Sequence, residues 1–224
     1  MPVYKPVPFT DFIDFADDEM SVRARTFYED LRRRHSCRYF SDADIPRSVI
    51  EDAIRAAGTA PSGANHQPWH FAVIRSPEKK QEIRSGAEEE EREFYAGKAP
   101  QEWLDALAPL GTDDVKEHLT DAPWLIVVFG QRRGGALPGE NRQNYYVPES
   151  VGIACGMLIA ALTYAGVATL THTPSPMKFL NQICDRPRDE RPLMIIVCGK
   201  PADTATMPEH ATIKKSLERI ASWL

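Results

Sequence analysis

Two rhythms of apolar residues run along the chain. Helical spacing covers about 21–33, 46–57, 77–95, 101–108, 112–119, 148–165 and 175–183. Four short runs, "HFAVI", "WLIVVFG", "VATLT" and "PLMIIVCG", have the length and β-branched content of buried strands. Pro46 falls in the first turn of the second helix, just after Asp44, where its missing N–H costs nothing. Helices and strands mix without strict β-α-β alternation, which predicts an α+β fold, a central sheet sandwiched by helices. The polar, glycine-bearing stretch "QRRGGALPGENRQNYY" is expected to form a loop between the second strand and the longest helix. No repeat of fixed period occurs.

With 224 residues and 42% hydrophobic content, the chain can bury one proper core. The expected organisation is a proline-broken arm over residues 1–20 and one domain over 21–224. The net charge is −5 and the basic residues are scattered, which argues against a nucleic-acid partner and for a small molecule. The opening "MPVYKPVPFTDFIDFADDEM" lacks the basic and apolar regions of an export signal. Cys37, Cys155, Cys184 and Cys198 are widely spaced with no C-x-x-C pair, so reduced thiols are expected rather than disulfides or a metal. Together these features predict a cytoplasmic protein.

From Ser150 to Met177 there is no Asp, Glu, Lys or Arg, a length that can span a bilayer. Gly152, Gly156 and Gly166 interrupt it, Thr163 and Tyr164 lie within it, and the flanks Glu149 and Lys178 show no positive-inside bias. A buried core helix covered on nearly all sides is therefore expected, with no membrane span. Gly152, Gly156, Ala160 and Ala161 permit close approach of another helix, in the core or across a homodimer interface.

Several stretches can carry chemistry. In "RRRHSCRYF", an extended backbone would project Arg34, Ser36 and Arg38 to one side, a set suited to a phosphate; the plainer alternative is that Arg32–Arg34 complement the negative end of the preceding helix. "GTAPSGANHQPW" is a turn-rich loop in which Gly63 permits close backbone approach to a flat ligand, although most such loops only turn corners. His66 and His70 are four apart, but Pro68 between them argues against a helix and hence against a metal site. In "TLTHTPSP", a threonine hydroxyl can donate to a ring nitrogen or merely cap a helix. Lys214 and Lys215 look like a solvated helix face. In "EEEEREFY", Glu91 and Tyr95 are spaced i, i+4 on one helical face, while Glu88, Glu89 and Glu90 are expected to be solvated charge. No H-E-x-x-H, G-x-S-x-G, P-loop or G-x-G-x-x-G motif is present.

In this order, R-x-S-x-R, "APSGANHQPW", a charge-free helix, "THTP" and a basic residue near the C-terminus resemble the FMN-dependent nitroreductase superfamily. Within it, "AGTAPSGANHQPW", "EEEEREFY", "VKEHL", "ESVGIACGMLIAAL" and "TLTHTP" are similar to the iodotyrosine deiodinase branch, over roughly residues 30–220. The resemblance implies a nitroreductase-like fold, an intertwined homodimer and FMN at its interface. It implies that Arg34, His35, Ser36 and Arg38 hold the phosphate and ribityl end, with Lys214 standing where the family has an arginine. Ser62 and Gly63 would line the isoalloxazine, with Thr171, His172 and Thr173 on its other side and the Thr173 hydroxyl at flavin N5 as the catalytic contact. Glu91, Tyr95 and Lys116 would grip the zwitterion of a halogenated tyrosine within a lid over about 88–120, and the Ala64 N–H would approach its phenolate. The expected activity is reductive dehalogenation, driven by NAD(P)H or a separate reductase. A general NAD(P)H-dependent nitroreductase or quinone reductase, and a non-catalytic flavin or halotyrosine binder, are the alternatives.

Overall fold

The computed structural model describes residues 4–224, in two units: one ending at Arg33, the other Arg34–Leu224. In the first, residues 4–16 are irregular and lead into helix α1 (Asp17–Leu31). This helix begins earlier than its apolar spacing predicts, because Asp17, Asp18 and Glu19 favour the positive end of a helix dipole. Arg32 and Arg33 pair with Glu29 and Asp30 in the last turn. Tyr4, Val7, Phe9, Phe12, Ile13, Val22 and Phe27 are all exposed.

In the second unit the helices are α2 (Arg47–Gly58), α3 (Pro77–Glu93), α4 (Gln101–Leu107), α5 (His118–Asp121), α6 (Val147–Tyr164), α7 (Phe179–Ile183) and α8 (Leu217–Ile220). The strands are β1 (Trp69–Ile74), β2 (Trp124–Gly130), β3 (Arg133–Gly134), β4 (Arg142–Gln143), β5 (Ala168–His172) and β6 (Arg191–Gly199). A four-stranded sheet has the order β1-β2-β6-β5, every neighbouring pair antiparallel. All of β2 is buried, which explains its unbroken apolar run: successive side chains enter opposite faces, and both faces are covered. Ile126, Val128 and Ile196 pack with Ile50 and Ala53 of α2 and with Val151, Leu158 and Leu162 of α6. Leu125, Val127, Phe129, Ile195 and Val197 pack on the other face with Ile83 and Ala87 of α3, Leu119 of α5 and Leu180 of α7. The α+β sandwich expected from the pattern is present.

Four details depart from it. The helix expected over 112–119 shrinks to α5, because the Asp113 carboxylate accepts from the Val115 N–H (3.0 Å) and turns the chain locally. The helix expected from 175 starts at Phe179; Pro176 keeps the residue before it out of the helical region. The loop at 131–146 contains the small hairpin β3–β4, too short and exposed to show alternation in sequence. Finally, α6 is not covered on nearly all sides within this chain. Val151, Ala154, Cys155, Leu158 and Leu162 are buried, whereas Gly152, Ile153 and Gly156 form an exposed stripe. By length and composition alone α6 is apolar enough to cross a membrane.

Candidate functional site

A cavity of about 530 Å³ opens beside β5, within the range of small-molecule sites. One wall comes from Arg38 and Tyr39 of the extended segment 34–40, which is fixed along the free edge of β5 by a bridge from Ser36 to Thr169 and by the Cys37 N–H donating to the Thr169 carbonyl (3.0 Å). This extended backbone is the one the R-x-S-x-R reading requires. Arg38 lines the cavity, whereas Arg34, His35 and Ser36 lie next to it in sequence but outside its lining. The ion pairs found among the described residues involve other basic groups than Arg34 and Arg38. The buried His35 Nδ1 has no partner among the described residues.

The end of β5 supplies Thr171, His172 and Thr173 to the same lining. Both threonines are exposed, whereas His172 is buried with its ring edge-to-face against His118, centroids 5.2 Å apart. Burial, then the His118 ring and Lys116, pushes His172 from its ordinary 6.5 down to about 3. Burial, then Lys116 and Arg38, pushes His118 down to about 4. Both rings are neutral near pH 7, and neither Nε2 has a partner among the described residues.

The opposite wall is charged and aromatic. At its C-terminal end α3 passes into a π-helical turn, Phe94–Lys98, which closes at Gly97 with φ 139°. Glu91 and Tyr95 project from this end, and Lys116 enters from the loop before α5, with only 3% of its surface exposed. The Lys116 Nζ is 3.5 Å from the Glu91 carboxylate and 5.9 Å from the centre of the Tyr95 ring, and it donates to Thr112 Oγ1 (3.3 Å) and to the Asp113 carbonyl. The Tyr95 hydroxyl donates to the Thr112 carbonyl (3.1 Å). Burial raises the Glu91 carboxyl above its usual range, partly opposed by Lys116, and burial also raises the Tyr95 phenol. Phe94 packs edge-to-face on Tyr95 and on Trp103, and Trp103, Leu107 and Leu110 complete an apolar rim. Sequence reasoning missed Phe94, Trp103 and His118; the spacing of the aromatics within "EFYAGKAPQEW" was the available signal.

Glu89 is solvated as expected, but Glu90 and Glu88 are not simply so. Glu90 lines the cavity, and Glu88 accepts hydrogen bonds from Arg84 and from the Lys116 backbone. A run of glutamates on a helix meets both water and protein because successive side chains point about 100° apart around the axis.

Ser62, Gly63 and Ala64 lie apart. They form a tight turn ahead of β1, the strand at the edge of the sheet opposite β5, three inter-strand spacings or about 14 Å away. The Gly63 N–H donates to Ser150 Oγ (3.4 Å), and a Cβ at Gly63 would meet the Tyr145 carbonyl at 2.8 Å. Ala64 holds φ 51°. Lys214 is exposed, its ammonium on the Ala211 carbonyl (2.9 Å). Among the described residues no cluster of His, Cys, Asp and Glu can hold a metal ion.

The nitroreductase family profile matches residues 31–200. The iodotyrosine deiodinase of Haliscomenobacter hydrossis is 48% identical over 195 residues, 87% of this chain and 88% of that protein. Human iodotyrosine deiodinase 1 is 42% identical over 209 residues, 92% of this chain and 71% of that protein. A crystal structure of oxidized iodotyrosine deiodinase bound to FMN and 3-iodo-L-tyrosine superposes with a TM-score of 0.72 at 27% identity, covering 85% of this chain and 96% of that one. Profile, sequence and fold agree: the chain belongs to the nitroreductase family, in its iodotyrosine deiodinase branch.

Proposed function

We propose that this chain is an FMN-dependent enzyme that reductively removes halogen from halogenated tyrosines. The observation that carries this reading is the Glu91–Tyr95–Lys116 cluster, with Lys116 buried and the other two half-buried, lining the same cavity as Thr171 and Thr173. A carboxylate suits the ammonium of an amino acid, and a lysine with a phenol suits its carboxylate; both contacts strengthen where water is excluded. Without substrate, Glu91 and Lys116 satisfy each other. An incoming zwitterion replaces one ion pair by two.

The residues present fit FMN. Among the described residues Arg34 and Arg38 take part in none of the ion pairs and His35 Nδ1 beside them has no partner, and all three stand on an extended backbone with Ser36 between the two arginines. They would hold the phosphate. Ser62 and Gly63 would line the ring, with Thr171, the His172 backbone and Thr173 on its other side, and the Thr173 hydroxyl would donate to flavin N5. Lys214 would reach the phosphate only by leaving the Ala211 carbonyl. Reduced FMN supplies the two electrons that, with one proton, replace a carbon–halogen bond by carbon–hydrogen and free halide. The Ala64 N–H would hold the phenolate oxygen, while the lid excludes water.

A homodimer belongs to this proposal. The 62–64 turn and the β5 end are at opposite sheet edges, so a second copy can supply one to the other. The exposed stripe of α6, together with Ile213, Leu217, Ile220 and Trp223 near the C-terminus, gives such a partner apolar surface to cover. We assign the electrons to NAD(P)H or a separate reductase. The four free cysteines suit a cytoplasmic setting.

The test is anaerobic reduction of the flavin-loaded protein followed by halide measurement with mono- and di-halotyrosines and with nitroaromatics. Halide release from the amino acids supports the reading. Rapid NAD(P)H oxidation with nitroaromatics and indifference to the zwitterion would make this a general nitroreductase or quinone reductase. Ligand binding without halide would make it a carrier. Glu91→Gln should retain FMN and weaken halotyrosine binding about tenfold, read by flavin absorbance titration.

A further inference from the structure

We infer that Glu88 is a positioning residue for Lys116, fixing the backbone from which that ammonium enters the cavity; this rests on the halotyrosine reading for its functional consequence. Lys80, Arg84 and Glu88 follow one another at i, i+4 along α3, and Glu91 comes three residues later, so the four form one polar rail. The rail grips the chain at 116–122. The Lys80 ammonium donates to the Thr120 carbonyl (2.9 Å) and the Ala122 carbonyl (2.8 Å). The Arg84 guanidinium donates to Thr120 Oγ1 (3.0 Å). One oxygen of Glu88, Oε1, accepts from both Arg84 Nε (2.7 Å) and the Lys116 N–H (2.9 Å). Glu91 then meets the Lys116 ammonium itself.

Glu88 therefore differs from its neighbours in the acidic run. Its side chain retains 19% of its exposure, and burial works to raise its carboxyl, yet the Lys116 N–H and Arg84 outweigh this and leave it below the ordinary range. Residues 112–117 contain no helix or strand to hold Lys116 in place. The Glu88 carboxylate supplies the charge-assisted bond to the Lys116 backbone in place of regular structure. Because Glu88 and Glu91 leave the same helix within one turn, α3 sets both the anionic contact and the place of the cationic one. The spacing of the two charges, which a zwitterion must match, is thus built into α3.

The experiment uses the FMN-loaded protein and the variants Glu88→Ala and Glu88→Gln. Amide exchange across residues 112–119 is measured without substrate, and affinities are titrated for 3-iodotyrosine and for 2-iodophenol, which lacks the zwitterion. Glu88→Ala should speed exchange at Lys116 and weaken iodotyrosine about tenfold, with iodophenol within about twofold. Glu88→Gln keeps an oxygen at the same reach and should restore most of both effects. Unchanged Lys116 exchange, or equal weakening of the two ligands, would overturn the inference. Should Glu88→Ala not hold FMN, Arg84→Met, which frees the Glu88 carboxylate, must give a smaller loss with the same ligand pattern. A wild-type protein that ignores iodotyrosine would sink the functional reading, while the exchange result would still decide the link between Glu88 and Lys116.

Discussion

Strand β2 and the segment from Phe94 to Lys116 are joined through one short helix, yet opposite kinds of force hold them. Every residue of β2 is buried, with Ile126 and Val128 on one face and Leu125, Val127 and Phe129 on the other. From Phe94 to Lys116 many residues are exposed, and the ties include the Tyr95–Thr112 bond, the Lys116–Glu91 pair and the Glu88–Lys116 contact. Apolar burial is non-directional and strong per residue, so β2 has one stable place. Polar ties exchange for bonds to water or to ligand at little net cost, which suits a segment that must release one partner and accept another. Rigidity sits at the centre of the sheet and exchangeability in the segment that carries Tyr95 and Lys116.

The sharpest break of this contrast is in the core. Phe129→Ala, at a fully buried side chain, should cost about 3–5 kcal/mol in a urea unfolding curve. Lys116→Ala should move that curve far less, but lower halotyrosine affinity about 100-fold, roughly 2.7 kcal/mol, because it removes the cation and leaves the Glu91 carboxylate uncompensated. Comparable unfolding midpoints for the two variants would abolish the distinction. The smallest expected effect lies where the regions meet, at the His118–His172 stack. Their folded values of about 4 and about 3 lie below the ordinary 6.5, so the unfolded chain binds more protons in that interval. The contribution of the neutral pair is present in full above 6.5 and is lost as pH falls through the folded values. At about pH 5.5 each ring should cost on the order of 1 kcal/mol. A plot of thermal midpoint against pH should fall on its acid side, and His118→Phe should flatten it.

Much of this architecture was written locally. The four principal strands stood out because their apolar runs are short and bounded by turns, and the helix expected over 77–95 starts at Pro77, where the Ser76 side chain accepts from the Lys79 N–H. Glu91 and Tyr95 could be paired by helical spacing alone, whereas Lys116 joined them only through resemblance to a family. The helix expected over 112–119 failed because the Asp113 side chain competes for a backbone N–H, a bond that period does not register. The hairpin β3–β4 stayed hidden for want of alternating residues.

The sequence by itself determined which segments are helix and strand, the sandwich they build, and the chemical types at the site, since these follow from near-neighbour spacing and from which side chains avoid water. Tertiary structure alone decided that Lys116 is buried, that Glu88 grips its backbone rather than facing solvent, that His172 turns from the threonines flanking it toward His118, and that the 62–64 turn stands across the sheet from Thr173. The physical reason is that desolvation and hydrogen bonding between segments far apart in the chain depend on which faces are packed together. Spacing along one element carries no record of that.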